Sequence, residues 1–534
     1  MGPRRYRLRV QESVPTATIA LAEIVGLFAL GQDNAFGQPM GSQLRSCLIA
    51  SGLADELDLT AADRADVYWV ALLRYVGCTG HAHEVATVFG DDVGTRSRSV
   101  VKDLSHPQDL LPEILRHAGT GASGARRIGA VRAVLAGGKK FVEMNFRTGC
   151  EVGDALLERL GMDASVRAAL GNTFEQWNGK GFPNGVHGDQ IPLPMRVVRL
   201  AHDAEALSRI HGAEEAVATL RRRAGRVYDP DLVEVLVGVL DDLLARVDKL
   251  DPWDAVLDAE PHPRRLLDGK ALDETLLVAA DFIDLKSPYT AGHSRAVAQL
   301  AAGAAQALGM PAADVTTLRR AAWVHDFGRT AVSNSVWDRA EALTRSDVDR
   351  IQLHPLITEQ MLRRCPGLRA ETATAALHHE RLDGSGYAKG IDGSAQPLAA
   401  RILAAADRYH DLIEERAYRS ALSATQAAAE LRRRVADGKL DGDAAEAVLR
   451  AAGHGDAAPS RPRPAHPDGL TDREVDVIRL AVRGLTMRQV ATRLSISVKT
   501  VDAHIQHVYA KTGVSTRGAL ALYAVEHGLV LTTS

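Results

Sequence analysis

Two stretches of this chain, 205 residues apart, carry the same ladder of glycines. Residues 383–412 read DGSGYAKGIDGSAQPLAARILAAADRYHDL, and residues 178–207 read NGKGFPNGVHGDQIPLPMRVVRLAHDAEAL. At that offset Gly384, Gly386, Gly390 and Gly393 fall on Gly179, Gly181, Gly185 and Gly188, and Pro397, Leu398 and Arg401 fall on Pro192, Leu193 and Arg196. Upstream the offset is 251, which sets Gly292 on Gly41 and Gly328 on Gly77. A chain of 534 residues is too long for one compact core, and the repeat says how it divides: two copies of one domain. Aromatics make up only 4%, so buried area must come from aliphatic side chains and Ala, which favours helices. Apolar spacing of three and four residues over Ala213–Leu250 and Leu431–Ala451 points the same way. A mostly α protein is expected, with a short hairpin in the glycine-rich stretches.

Residues 452–469, AGHGDAAPSRPRPAHPDG, cannot continue a helix and read as a linker. A weaker boundary lies near 251–264, where three prolines fall in fourteen residues. The division expected is therefore 1–255, 256–452, a linker at 453–468 and a C-terminal unit at 469–534. The early run TATIALAEIVGLFALG is interrupted by Glu23 and is too short to span a bilayer, so an amphipathic helix and no membrane segment are expected. Cys47, Cys78, Cys150 and Cys365 lie far apart with no C-x-x-C pair, which fits reduced thiols and a cytoplasmic location and excludes a zinc knuckle.

Ligand-type side chains concentrate between positions 280 and 412: His293, His325 with Asp326, His354, His378 with His379, and Asp407. Any one of them alone reads as an ordinary helix residue. Together they exceed the four ligands of a structural zinc site and, with one carboxylate bridging, suit two metals. Imidazole with carboxylate favours Mn, Fe, Co, Ni or Zn over Mg or Ca, and two transition-metal ions, Fe or Mn, are expected. A pair of such ions can drive phosphoester hydrolysis.

The pieces AGHS (291–294), HDFGR (325–329), HP (354–355), HHERLDGSGYA (378–388) and PLAARILAAADRYHDL (397–412), followed by RAYR (416–419), resemble the HD-domain phosphohydrolases, specifically the HD-GYP branch. The resemblance implies an all-helical bundle that hydrolyses phosphoesters, in this branch typically cyclic di-GMP. It implies His293, His325, Asp326 (bridging), His354, His378, His379 and Asp407 as metal ligands, with Asp326 and Arg329 as the catalytic pair. Arg329 stands where the branch has a phosphate-contacting Lys, Ala388 breaks the GYP signature, and Tyr289 replaces the Glu that accompanies a third metal.

In the first copy the ligand positions become Ser42, Arg74, Tyr75, Thr173, Phe174 and His202. Arg and Tyr in place of His-Asp would oppose a bound cation, so this copy reads as catalytically dead, kept for sensing, dimerising or scaffolding. His81 and His83 are expected to be exposed loop histidines.

From residue 469 onward eight Lys/Arg face five Asp/Glu, a local charge of +3 in a chain of −3. Thr471 with Glu474 forms a capping box, Gly484 ends that helix, and Thr486 and Ser497 open two more. Val490, Leu494, Val501, Ile505 and Val508 supply a small core, and the pattern is a helix-turn-helix. LTDRE, GLTMRQVA, LSISVKTVDAHI and YAKTGVSTR resemble the LuxR-type (GerE-like) DNA-binding domain. By that resemblance Thr486, Ser497, Thr500, His504 and Lys511 touch phosphates, while Lys499, Val501 and Asp502 lie near base edges. Such domains bind double-stranded DNA as homodimers.

The fold class expected is thus all-α: two HD-type helical bundles plus a C-terminal four-helix DNA reader. The function expected is a transcription regulator that hydrolyses a phosphoester or cyclic dinucleotide. The alternatives are a nucleotide-responsive regulator with negligible turnover, and an enzyme that its reader merely recruits to DNA.

Overall fold

The computed structural model describes residues 18–103, 116, 124–454 and 466–530. The basic start of the chain and positions 455–465 of the expected linker lie outside the described residues. The first copy is built on α1 (Leu21–Ala35), α2 (Ser42–Glu56), α3 (Ala61–Leu73), α4 (Gly124–Arg159) and α5 (Leu193–His211). The second copy is built on α6 (Gly269–Asp284), α7 (His293–Ala307), α8 (Ala312–Val324), α9 (His354–Leu362), α10 (Leu398–Ile413) and α11 (Ala424–Ala436). The reader comprises α12 (Asp472–Val482), α13 (Met487–Leu494), α14 (Val498–Thr512) and α15 (Arg517–Glu526). Strand among the described residues is one two-residue antiparallel pairing, Ile19↔Leu267 and Ala20↔Leu266. The hairpin expected in the glycine-rich stretches is not formed; a single bridge, Phe174↔Phe182, is what remains of it.

The repeat is visible as matched local devices. Asp33 accepts from the backbone N–H of Gly41 and Gln43 and so holds the start of α2. Its counterpart 251 residues on, Asp284, accepts from the N–H and hydroxyl of Ser294 at the start of α7. Gly77 and Gly328 each sit in a short 3-10 turn, laid so closely on α4 and α9 respectively that an added Cβ would come 1.9 Å from the Gly149 carbonyl oxygen and 2.0 Å from that of His354. No other residue fits there, which is why the glycine recurs at that offset. In the glycine ladders, Glu175 and Glu380 play one role: each carboxylate accepts from two successive backbone N–H groups, of Asn184 and Gly185 or of Lys389 and Gly390.

α1 departs from expectation. It is buried on every face rather than amphipathic, because it runs between the copies. Phe28 meets Phe282 edge-on at 5.1 Å and Phe327 at 6.4 Å, all three fully buried. The polar Gln32 on the same helix is satisfied, donating to the Leu72 carbonyl and accepting from the Tyr75 N–H. One apolar core consequently runs through both copies and reaches the inner side of the reader, at Val475, Ile478 and Leu520. The reader adds a small cluster of its own: Val477, Val490, Ala491, Val501 and Ile505.

The reader sits against the first copy. α15 packs on α4, where Gly518 lies against Thr148 and Val152. Glu151 accepts from the Ser515 N–H, the Ser515 hydroxyl and the Thr516 hydroxyl, and Arg159 pairs with Glu526 at 3.0 Å. Arg493 reaches across to Glu415 of the second copy at 3.7 Å.

Candidate metal centre and nucleic-acid interface

Helix ends aim the ligand-type side chains of the second copy at one point. His293 opens α7, His354 opens α9, His325 closes α8, and Asp326 follows it into the 3-10 turn. His378 and His379 follow the short helix Arg369–Ala375, and Asp407 lies within α10. The structure brings all seven together. The Nε2 atoms of His354 and His378 lie 3.3 and 3.5 Å from Asp326 Oδ1. Those of His325 and His293 lie 3.6 and 4.0 Å from Asp326 Oδ2, and 3.8 and 3.2 Å from Asp407 Oδ1. His379 Nδ1 is 3.8 Å from Asp407 Oδ2. Each oxygen of Asp326 therefore faces a different pair of imidazoles, the arrangement a bridging carboxylate needs.

The hydrogen bonds fix which nitrogen points inward. The Nδ1 atoms of His325, His354 and His378 donate to the carbonyls of Ala322, Ile351 and Ala375, leaving each Nε2 lone pair directed at the carboxylates. His293 Nδ1 is held by Glu414 Oε2 at 2.9 Å. His325 Nε2 is buried without a hydrogen-bond partner, an orphan that a cation would satisfy. Burial works to raise the pKa of Asp326, but the His325 imidazole and Arg329 guanidinium outweigh it and hold the carboxyl well below its ordinary range. Burial likewise acts on Asp407 and is outweighed by the hydrogen bond from His293 and by the nearby imidazoles of His325 and His379, so this carboxyl also stays ionised. Burial, together with neighbouring His378, keeps His379 neutral by depressing its pKa. At His293 burial is instead outweighed by Glu414 and Asp407, which raise its pKa well above the ordinary value, so a cation taken up there would displace a proton.

A cavity of about 340 Å³ opens over this centre. Arg329 lines it with its guanidinium already engaged, 2.8 Å from Asp326 Oδ2 and stacked 4.1 Å over the Trp337 ring. Tyr387 packs on His379 with ring centroids 4.6 Å apart. Its neighbour Ala388 adopts φ +92°, a left-handed backbone that a proline cannot take. Tyr289 brings no carboxylate to His293. Glu414 supplies one from the end of α10 instead, with His410 3.2 Å from its other oxygen. Sequence reasoning passed over both residues, although an acid and a His four apart, just beyond Asp407, were there to be read.

In the first copy the corresponding positions also gather, but as a plug. Arg74 is buried with its guanidinium 4.9 Å over the Tyr75 ring and 3.9 Å from Asp203. Tyr75 packs against Phe174 and His202, and the Thr173 hydroxyl reaches the Arg74 carbonyl. Ser42 stands at the start of α2, matching His293 at the start of α7. The two histidines expected in an exposed loop are not there. His81 is buried where the 3-10 turn packs on α4, and His83 bonds Asp338 of the second copy at 2.7 Å.

In the reader, Thr471, Thr486 and Ser497 cap α12, α13 and α14 as the sequence implies. Lys499, Thr500 and Asp502 are exposed on one side of α14, and His504 is half-buried. Val501, expected near base edges, is 1% exposed and belongs to the core under that helix, so its side chain is not offered to the surface. Lys511 has its ammonium on Glu474 at 2.7 Å and on the Gly469 carbonyl at 2.9 Å, bracing the α12 cap.

The chain matches the HD domain family over residues 146–232 and 278–444, one segment in each copy, and the bacterial regulatory proteins of the LuxR family over 468–524. It is 30% identical over 420 residues to 3'3'-cGAMP-specific phosphodiesterase 3 of Vibrio cholerae serotype O1, covering 78% of this chain and 91% of the relative. It is 33% identical over 150 residues, 28% of this chain and 40% of the relative, to a cyclic di-GMP phosphodiesterase response regulator of Xanthomonas campestris pv. campestris. A crystal structure of a cyclic GMP-AMP-specific phosphodiesterase from V. cholerae is similar at a TM-score of 0.57 and 27% identity, covering 82% of this chain and 98% of that one.

Proposed function

Because the chain belongs to the HD domain family and ends in a DNA-binding domain of the LuxR family, we propose that it is a gene regulator that also cuts a phosphodiester of a cyclic dinucleotide, in its second copy. The observation that carries the reading is the opposed pair of buried carboxylates, Asp326 and Asp407, ringed by five imidazoles. His293, His325, Asp326, His354, His378, His379 and Asp407 would hold two transition-metal ions, Fe or Mn, which would supply an activated water and neutralise charge on the phosphate. A water oxygen bonds to phosphorus, one ring P–O bond breaks, the water proton ends on the departing ribose oxygen, and a linear dinucleotide is released. Arg329 offers its free N–H groups to the non-bridging phosphate oxygens, and Trp337 keeps that guanidinium from swinging away. Tyr387 and Trp337 wall the cleft and limit water around the phosphate. Lys499, Thr500 and Ser497 meet duplex DNA, two chains binding as a homodimer in the cytoplasm.

The substrate class follows from the relatives, which are phosphodiesterases of 3'3'-cGAMP and cyclic di-GMP. The test is metal analysis of the purified protein with hydrolysis assays on both dinucleotides, for the wild type and Asp326→Ala. Two equivalents of metal and a linear product that Asp326→Ala abolishes support the reading. A dinucleotide bound tightly but never opened would instead make the second copy a sensor. Wild-type turnover in Asp326→Ala would overturn the assigned centre.

A further inference from the structure

The cavity over the metal centre is lined by more cations than its chemistry uses. Besides Arg329, its wall includes Arg381, Arg408, Arg434 and Lys439, none of which stands at a metal-ligand position. They come from separate parts of the fold: the loop after His379, the position after Asp407 on α10, the last turn of α11, and the turn beyond it. Backbone bonds lock them together, since Leu382 N–H donates to the Lys439 carbonyl and Lys439 N–H to that of Arg434. All four are only partly exposed.

Their charges are only partly balanced, Arg381 and Lys439 sharing the attraction of the exposed Asp383 carboxylate. Arg408 pairs with Asp411 through Nη1 at 2.7 Å, while its buried Nε has no partner. Arg434 has only Glu430, whose carboxylate Arg433 already grips. Among the described residues the Lys439 ammonium makes no hydrogen bond or ion pair. Burial and the nearby Arg408 lower the pKa of Arg434, the sign of cations crowded together. Such a cluster in a concave wall is unfavourable until an anion enters it. Guanidinium forks on a concave surface suit phosphate oxygens above all.

We infer that Arg381, Arg408, Arg434 and Lys439 form a second phosphate subsite, which holds the uncut phosphodiester of a cyclic dinucleotide while the other lies at the metal centre. The inference rests on the proposed phosphodiesterase reading and names what selects its substrate: two phosphates in one small molecule, engaged at both ends of one cavity. After the cut, the same cations retain the linear product by its remaining phosphodiester.

The test compares cyclic di-GMP with bis(p-nitrophenyl) phosphate, which has a single phosphodiester, on full-length manganese-loaded protein carrying Arg434→Ala, Lys439→Ala or Lys439→Arg. The kcat/KM ratio of the two substrates should fall by about tenfold in each alanine variant, the loss expected for one charge-assisted hydrogen bond. The fall should lie in KM for the dinucleotide, and Lys439→Arg should restore it. An unchanged ratio, or equal loss on both substrates, overturns the subsite. If the wild-type protein cuts neither substrate, the hydrolase reading fails and the subsite is judged by cyclic di-GMP binding at equilibrium. There, weakening by about tenfold in Lys439→Ala sustains it and unchanged affinity removes it.

Discussion

Glu414 grips His293 on the side away from the carboxylates, and a ligating imidazole so held keeps its ring orientation and proton placement. Glu414→Ala is expected to weaken metal binding by about 10- to 100-fold, read by metal titration of the purified variant. Ala388 carries the opposite kind of feature, a backbone conformation that costs on the order of 1 kcal/mol for a residue with a Cβ. Ala388→Gly should therefore raise the melting temperature by an amount corresponding to ~1 kcal/mol, and Ala388→Pro should lower it. At this scale the sequence was informative where chemistry is discrete. His325 and Asp326 announce themselves because few residue types can ligate a metal. Glu414 and His410 were legible only as an acid and a His one turn apart; that the end of α10 meets His293 at the start of α7 emerges from packing. Val501 misled for a related reason: position along a recognition helix is legible, while which side faces the core emerges only from packing.

Among the elements, the helix caps of the reader were readable residue by residue, since capping depends on spacings within one turn. What could not be read is that Lys511, from another helix, braces the α12 cap. Burial alone would raise the pKa of Glu474, but Lys511 and Thr471 overcome it and pull the group from an ordinary 4.5 down to about 2. A carboxyl depressed in the folded state stabilises above its unfolded pKa and loses that contribution as pH falls through the folded one. Glu474→Gln should thus destabilise the reader at pH 7. The difference from wild type should shrink between about pH 4.5 and 2, followed by thermal melts across that range. α1 shows the limit of periodicity. Its apolar run predicted a helix correctly, but whether one face or all faces are covered depends on how many neighbours arrive, and here both copies do.

The whole molecule joins parts that the sequence presents as separate. A repeat, a linker and a charged C-terminal unit were visible, whereas the contact of Ser515 and Thr516 with Glu151, more than 360 residues away, was not. Glu151→Ala removes the acceptor for three donors at the α4–α15 junction. It should increase hydrogen exchange across α15 while leaving bound metal unchanged; unaltered exchange would mean that apolar packing alone seats the reader. The same logic applies to the seam between the copies. Phe28 covers Phe282 and Phe327, and the edge of Leu266–Leu267 is completed by Ile19–Ala20. The first-half residues at the ligand positions pack on one another, whereas α1 and Ile19–Ala20 form the wall against the second half. A second half severed from that wall would expose bare aromatic rings to water, so neither half can be expected to keep its shape in isolation.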